Sequence, residues 1–338
     1  MGVHIVPNAR FKELLADIEP SPTTKTAASN AHLAVRRHLR DHPDFGARRT
    51  GDFLSGSYSR DTAIRPKRTE EGVERADVDI IIETNFDTTD HPDDVLQDVS
   101  DALEDGFVVE RINKRSVRVV TANAEIDVVP VIPNWQSYMI PDRDLGEWNP
   151  TNPPAHNQWS TDRNAELDGR FKPLVKMFKW WRRENKTGKR PKGFVLEVLV
   201  DRFAPRNETH YGEAFAQMLQ NIHDEYGALA DAGIKPHIED PGLAGNNIIR
   251  RTSMTDWKNF LARIGVHAGY ARRAQDEDDV AEATRLWRHL FGPRFKETAE
   301  PAKAVSLASY ASAPVGVLGS SYTFPNQPVA PNKPRDFA

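Results

Sequence analysis

The sequence predicts an α+β chain, with a mixed sheet-and-helix lobe first and a helical lobe second. Three observations predict it. The β-rich runs Asp77 to Glu83, Val117 to Val120 and Glu125 to Val131 all lie in the first part of the chain. From Arg170 onward apolar residues recur mostly at helical spacing. The 338 residues suffice for roughly two domains. The first lobe is placed at residues 1–165, the helical lobe at 166–298 and a Pro-rich, flexible tail at 299–338.

The chain opens on two helices. Phe11, Leu14, Leu15 and Ile18 share one face, and Pro20 and Pro22 stop that helix. Ala28, Ala31, Val35 and Leu39 mark a second helix, about Thr24 to Asp41. Residues 51–65 are short, Gly/Ser-punctuated and β-like. DVDIIIE at 77–83 reads as a buried strand. Pro92 to Leu103 is an amphipathic helix with Val95, Val99, Ala102 and Leu103 inward. Val117 to Val120 and Glu125 to Val131, joined by Thr-Ala-Asn-Ala, predict a hairpin. Residues 133–165, with their Pro, Asn and Trp, read as a long connection. Helices are expected at about 171–185, 193–203, 211–230, 255–265 and 276–290. The acidic start and basic end of the last one suit the helix dipole and need no function.

Composition excludes several classes. With no cysteine, disulfides, iron–sulfur clusters, thiolate zinc sites and a cysteine nucleophile are ruled out. That fits a reducing cytoplasm. No apolar run approaches the ~18 residues of a membrane span, and the N-terminus lacks the pattern of a secretory signal. A net charge of −4 disfavours long nucleic acids as main partners, while a nucleotide remains allowed. None of the 11 histidines has zincin-type spacing.

Four features carry chemistry. Asp77 and Asp79, two apart on a strand, share a face, with Val78 and Ile80 on the other. Paired carboxylates repel unless a cation sits between them, and Mg²⁺ is the natural one because it prefers oxygen ligands. Asp127, in EIDVV, sits on a second β-rich run. Beside the first strand, it would complete three carboxylates able to hold two divalent ions about 3.5–4 Å apart for phosphoryl or nucleotidyl transfer. Gly56-Ser57 precedes the pair, and such a turn can cradle phosphate oxygens. Gly319-Ser320 repeats the dipeptide in the tail, but no carboxylate pair follows it. Lastly, the helix at 170–183 sets Lys172, Lys176, Lys179 and Arg183 beside an apolar arc. Singly, each also reads as ordinary structure: a solvated strand face, a polar hairpin residue, a turn, a cationic helix face. Trp180 and Trp181 read as packing residues.

In this order the features resemble the polymerase-β-type nucleotidyltransferases, and more narrowly the bacterial cGAS/DncV-like nucleotidyltransferases (CD-NTases) of anti-phage signalling. The resembling stretches are GSYSRDTAI at 56–64, DVDIIIE at 77–83, EIDVVPVIP at 125–133, LVKMFKWWR at 174–182 and FVLEVLV at 194–200. Gly193 stands where the family often has serine.

The resemblance implies a polymerase-β-like nucleotidyltransferase core plus a helical C-terminal lobe, with a central active-site cleft. It implies a cyclic di- or trinucleotide made from nucleoside triphosphates, ATP among them, in anti-phage (CBASS) signalling. By the same resemblance Gly56 and Ser57 hold the triphosphate. Asp77, Asp79 and Asp127 hold two Mg²⁺ ions, replaceable by Mn²⁺, and Asp127 helps to deprotonate the attacking ribose hydroxyl. Lys179, then Lys176, contact the β/γ-phosphates, while Arg60 and Thr62 complete the loop pattern without a ligand contact. The resemblance further implies regulatory or conjugating CBASS proteins acting on the tail at Ala338, and a cytoplasmic setting. Two alternatives stay open: modification of an RNA end or a protein, and an inactive nucleotide-binding module.

Overall fold

Residues 4–69, 72–185 and 190–297 are described by the structure, a computed structural model. The tail, with Gly319, Ser320 and Ala338, lies outside the described residues. Helices α1 (Asn8–Ile18) and α2 (Pro22–Asp41) open the chain. Ser21 Oγ accepts the Thr24 N–H at 3.1 Å and caps α2, a contact worth about 1 kcal/mol. The two helices serve different cores. α2 turns Ala28, Ala31, Val35 and Leu39 to the sheet, while α1 buries Phe11, Leu14, Leu15 and Ile18 in the helical lobe.

The sheet follows. Its elements are β1 (Arg49–Ser55), the helical turn α3 (Gly56–Ser59), β2 (Arg68–Thr69), β3 (Gly72–Val73), β4 (Ala76–Thr84), α4 (Pro92–Glu104), β5 (Val108–Ile112), β6 (Val117–Val120), β7 (Ala124–Asn134), β8 (Ser137–Asp142) and β9 (Glu147–Thr151). The strand order is β1-β4-β7-β6-β5, with β8 beside β7 and β9 beside β8. β2 and β3 pair separately. β4 and β7 run parallel, joined by a crossover through α4, β5 and β6, and the other pairs of the main sheet are antiparallel. Val78, Ile80, Ile82, Ile126 and Val128 pack with α2 and α4. The opposite face of β4 and β7 carries Asp77, Asp79, Glu125 and Asp127, followed along the strands by a small apolar cluster of Ile81, Val129 and Val131.

Three expectations need correction. Residues 51–65 are not all β-like: β1 ends at Ser55, and Gly56, at φ 70°, turns the chain into α3. Residues 133–165 are not a connection but β8, β9 and α5 (Pro153–Glu166). Pro150 mimicked a loop signal, yet among the described residues β9 pairs with β8 alone, and an edge strand tolerates proline. Pro153 and Pro154 start α5, where a missing N–H costs nothing, and Asn152 caps it through the Ala155 N–H at 3.3 Å. The helix expected at 255–265 is α9 (Met254–Asp276). It runs on past Gly265, where a Cβ would meet His223 of α8 (Tyr211–Asp231) at 2.6 Å, so glycine serves close helix packing.

The helical lobe adds α6 (Phe171–Glu184), α7 (Gly193–Phe203), the small pair β10 (Glu239–Asp240) and β11 (Leu243–Asn247), and α10 (Val280–Phe291). Trp181, Phe178, Phe215, Phe260 and Trp257 centre its core. Trp180 and Trp181 are buried there, and the Trp181 indole donates to His267 Nδ1 at 2.9 Å. No helix among the described residues is long and apolar enough to cross a membrane.

Candidate active site

Strand register assembles the site. Asp79 lies opposite Asp127, and Asp77 opposite Glu125, across the parallel β4–β7 pair. Arg118 of β6 lies opposite Asp127 from the other side. On the first edge, Ser55 pairs with Asp79, so Gly56 and Ser57 follow directly beside that carboxylate. A Cβ on Gly56 would stand 2.7 Å from Asp79 Cγ. The alternation that sinks Val78 and Ile80 into the core thus brings Asp77, Asp79, Asp127 and the Gly56–Ser57 turn together.

Charge in this cluster is uneven. Arg118 donates to Asp77 at 3.1 Å, to Glu125 at 2.7 Å and to Asp127. Asp127 also accepts from Asn113 Nδ2 at 3.0 Å and Ser116 Oγ at 3.2 Å. One guanidinium therefore serves three carboxylates. Burial, reinforced by Asp77 and Asp127, pushes the Asp79 carboxyl up to about 7. Burial, with Asp127 and Glu125, also raises Asp77, against the pull of Arg118 and Lys192. Its carboxylate partners, Asp127 first, hold Arg118 protonated.

The donor chemistry suits a hard divalent cation: oxygen donors whose mutual repulsion a cation would relieve. In the present arrangement Arg118 takes the cation's place. Among the described residues no group of three or more His, Cys, Asp or Glu side chains is arranged to hold a metal ion. Loading would require Asp77 and Asp127 to turn from Arg118.

A pH dependence follows. Because the folded-state pKa of Asp79 lies above that of an ordinary aspartate, the folded protein holds the proton more tightly. The stabilisation is full below the unfolded value and is lost as pH rises through about 7. In EDTA, urea midpoints of the wild type should fall between pH 5 and 8 more steeply than those of Asp79→Asn. Equal slopes would contradict this electrostatic account.

Two lysines of the stripe, expected on resemblance to contact phosphates, are neither solvated nor free of partners. Lys176 and Lys179 are 3% and 7% exposed. Lys176 Nζ donates to Glu19 at 2.6 Å and Asp61 at 3.3 Å. Lys179 Nζ donates to Glu197 at 2.8 Å and to Thr62 Oγ1 and O at 3.0 and 3.1 Å. Carboxylates from distant segments have closed over both ammonium groups. Gly193 lies beside this cluster, where a Cβ would stand 3.4 Å from Lys179 Cε, an ordinary contact.

Sequence reasoning missed Arg118, Asn113, Ser116, Lys192 and Glu197. Counting back across the expected hairpin would have set Arg118 opposite Asp127. Glu197 was signalled by being a lone acid in FVLEVLV.

Known proteins resemble this chain in sequence and in fold. Residues 6–164 match the Second Messenger Oligonucleotide or Dinucleotide Synthetase (SMODS) domain. The chain is 45% identical over 332 residues to the cyclic AMP-AMP-AMP synthase of Acinetobacter sp. (strain ATCC 27244 / 9458), covering 97% of each. It is 25% identical to the cyclic AMP-AMP-GMP synthase of Enterobacter hormaechei subsp. hoffmannii (strain UCI 50), covering 97% of this chain and 99% of that one. The structure of the Bradyrhizobium diazoefficiens CD-NTase CdnG in complex with GTP has the same fold, with a TM-score of 0.70 at 18% identity over 85% of this chain and 95% of that one.

Proposed function

We propose a cyclic trinucleotide of AMP units, made from ATP, as the product of this chain, which belongs to the CD-NTase family and is a nucleotidyltransferase making a cyclic oligonucleotide second messenger. The observation that carries the site is the register of Asp79 opposite Asp127 with Gly56–Ser57 alongside. The adenosine-only product is supported by the 45% identity to the cyclic AMP-AMP-AMP synthase. A role in anti-phage (CBASS) signalling is part of the same proposal.

In this reading the Gly56–Ser57 turn binds the triphosphate, its backbone N–H groups and the Ser57 hydroxyl meeting phosphate oxygens. Asp77, Asp79 and Asp127 would hold two Mg²⁺ ions, which supply charge neutralisation at the phosphates and a more acidic ribose hydroxyl. Asp127, once turned from Arg118, is assigned the part of helping to deprotonate that hydroxyl. The ribose oxygen bonds to the α-phosphorus, and the bond from that phosphorus to the pyrophosphate oxygen breaks. Repetition and a final closure within the chain give the ring. Lys176 and Lys179 are assigned support of the nearby loop instead of a direct phosphate contact, because their ammonium groups already have buried acceptors.

The test is incubation of the purified protein with ATP, GTP, CTP and UTP, singly and mixed, in Mg²⁺. The expected product is phosphatase-resistant, contains only AMP units and forms from ATP alone. Guanosine in the product would overturn the adenosine-only reading. Label appearing only on added RNA or on protein would favour end modification. No product of either kind would favour an inactive module.

A further inference from the structure

We propose that Glu197 of α7 is a positioning residue for the triphosphate-holding turn, acting through Arg60 and Thr62. The proposal rests on the reading that Gly56 and Ser57 hold the triphosphate. Arg60 and Thr62 complete the loop motif, and no ligand contact is assigned to either. Both side chains are buried, and both end on Glu197, which is 0% exposed. Arg60 Nε donates to Glu197 Oε2 at 2.8 Å, and its Nη2 to Oε1 at 3.1 Å. Thr62 Oγ1 donates to Oε1 at 3.0 Å. Lys179 of α6 donates to the same oxygen at 2.8 Å.

The backbones of these residues hold the turn. Arg60 N–H donates to Gly56 O at 3.2 Å, and Thr62 N–H to Ser57 O at 2.9 Å. Ala63 N–H donates to Ser57 O at 3.1 Å. The turn is thus anchored at both ends of a short path: by its own carbonyls, and by two side chains fixed on a carboxylate of the helical lobe. Burial would raise the Glu197 carboxyl, but Lys179 and Arg60 outweigh it and hold it at about 2. Two cations, Arg60 and Lys179, thus face one anion in this buried cluster.

Positioning and field effects differ in sign. Glu197→Gln makes the buried cluster more positive. A field effect alone would tighten triphosphate binding, whereas loss of the anchor for Arg60 and Thr62 weakens it. Thr62→Val keeps the charge and removes only the hydroxyl that bridges Lys179 and Glu197, so it decides the matter where Glu197→Gln does not fold.

The experiment measures calorimetric binding of α,β-methylene-ATP in Mg²⁺, KM for ATP, and Mn²⁺ binding to the nucleotide-free protein. In Thr62→Val the analogue should bind about tenfold more weakly, the worth of one charge-assisted hydrogen bond. KM should rise in step, and Mn²⁺ binding should stay at the wild-type value. Unchanged analogue binding in Thr62→Val overturns the proposal, as does tighter binding in Glu197→Gln. A parallel loss of Mn²⁺ binding in Thr62→Val overturns it too, since the damage is then not confined to the turn. Gly56→Ala separates the two levels. If it leaves analogue binding intact, the triphosphate reading itself fails and the proposal with it; if it weakens binding while Thr62→Val does not, only the role of Glu197 fails.

Discussion

Asp77→Ala combined with Asp79→Ala is expected to lower cyclic nucleotide synthesis by about 10³-fold or more, equivalent to roughly 4 kcal/mol of transition-state stabilisation. Two of the three site carboxylates disappear, leaving Asp127 alone, and with them go oxygen donors able to hold divalent cations against the phosphates. The fold should persist. Both side chains leave the polar face of β4, while Val78, Ile80 and Ile82 remain in the core. Arg118 keeps Asp127 and Glu125 as partners. Removing Asp79 also relieves the cost of its burial, and with it the repulsion from Asp77 and Asp127, which together push its carboxyl up to about 7. Melting in EDTA should therefore match or exceed the wild type, while chromatography of the nucleotide products shows the loss. Synthesis within tenfold of wild type, in a folded double variant, would remove these residues from the active centre.

The elements of the site that could be read from residues alone are those governed by local periodicity. A two-residue repeat on a strand puts Asp77 and Asp79 on one face whatever the rest of the chain does. The apolar residues alternating with Asp127 fix its face in the same way. Long-range partners follow another rule. Helical spacing aligned Lys176 with Lys179, but Glu19 and Asp61, which cover Lys176, lie 157 and 115 residues away. Glu197 is closer in sequence to Lys179, yet its partners Arg60 and Thr62 are 137 and 135 residues distant. Periodicity gives a face and not what is packed on it. The same limit hid β9, whose proline is tolerated because, among the described residues, β9 pairs with β8 alone, and the length of α9, where Gly265 answers a packing need of α8.

Gly56→Ala is expected to reduce synthesis by about 100-fold, or roughly 2.7 kcal/mol, while leaving the protein folded. Two costs combine at this position. Gly56 has φ 70°, a backbone region that L residues enter at a cost of about 1 kcal/mol or more. The added methyl would also stand 2.7 Å from Asp79 Cγ, inside van der Waals contact, and would meet the carboxylate oxygen more closely still. Asp79 must then swing from its place opposite Asp127, or the turn must back away from the strand. Either movement separates the triphosphate-holding turn from the carboxylates. Gly146 supplies the control. It has φ 65°, but a Cβ there would meet only His91 Nε2, at an ordinary 3.5 Å. Gly146→Ala thus carries the backbone cost without the collision, and it should lower stability slightly with synthesis unchanged. Comparable losses of synthesis in the two variants would assign the effect to strain in general. A loss confined to Gly56→Ala assigns it to the contact with Asp79, because the collision is the difference between two glycines held at nearly the same φ.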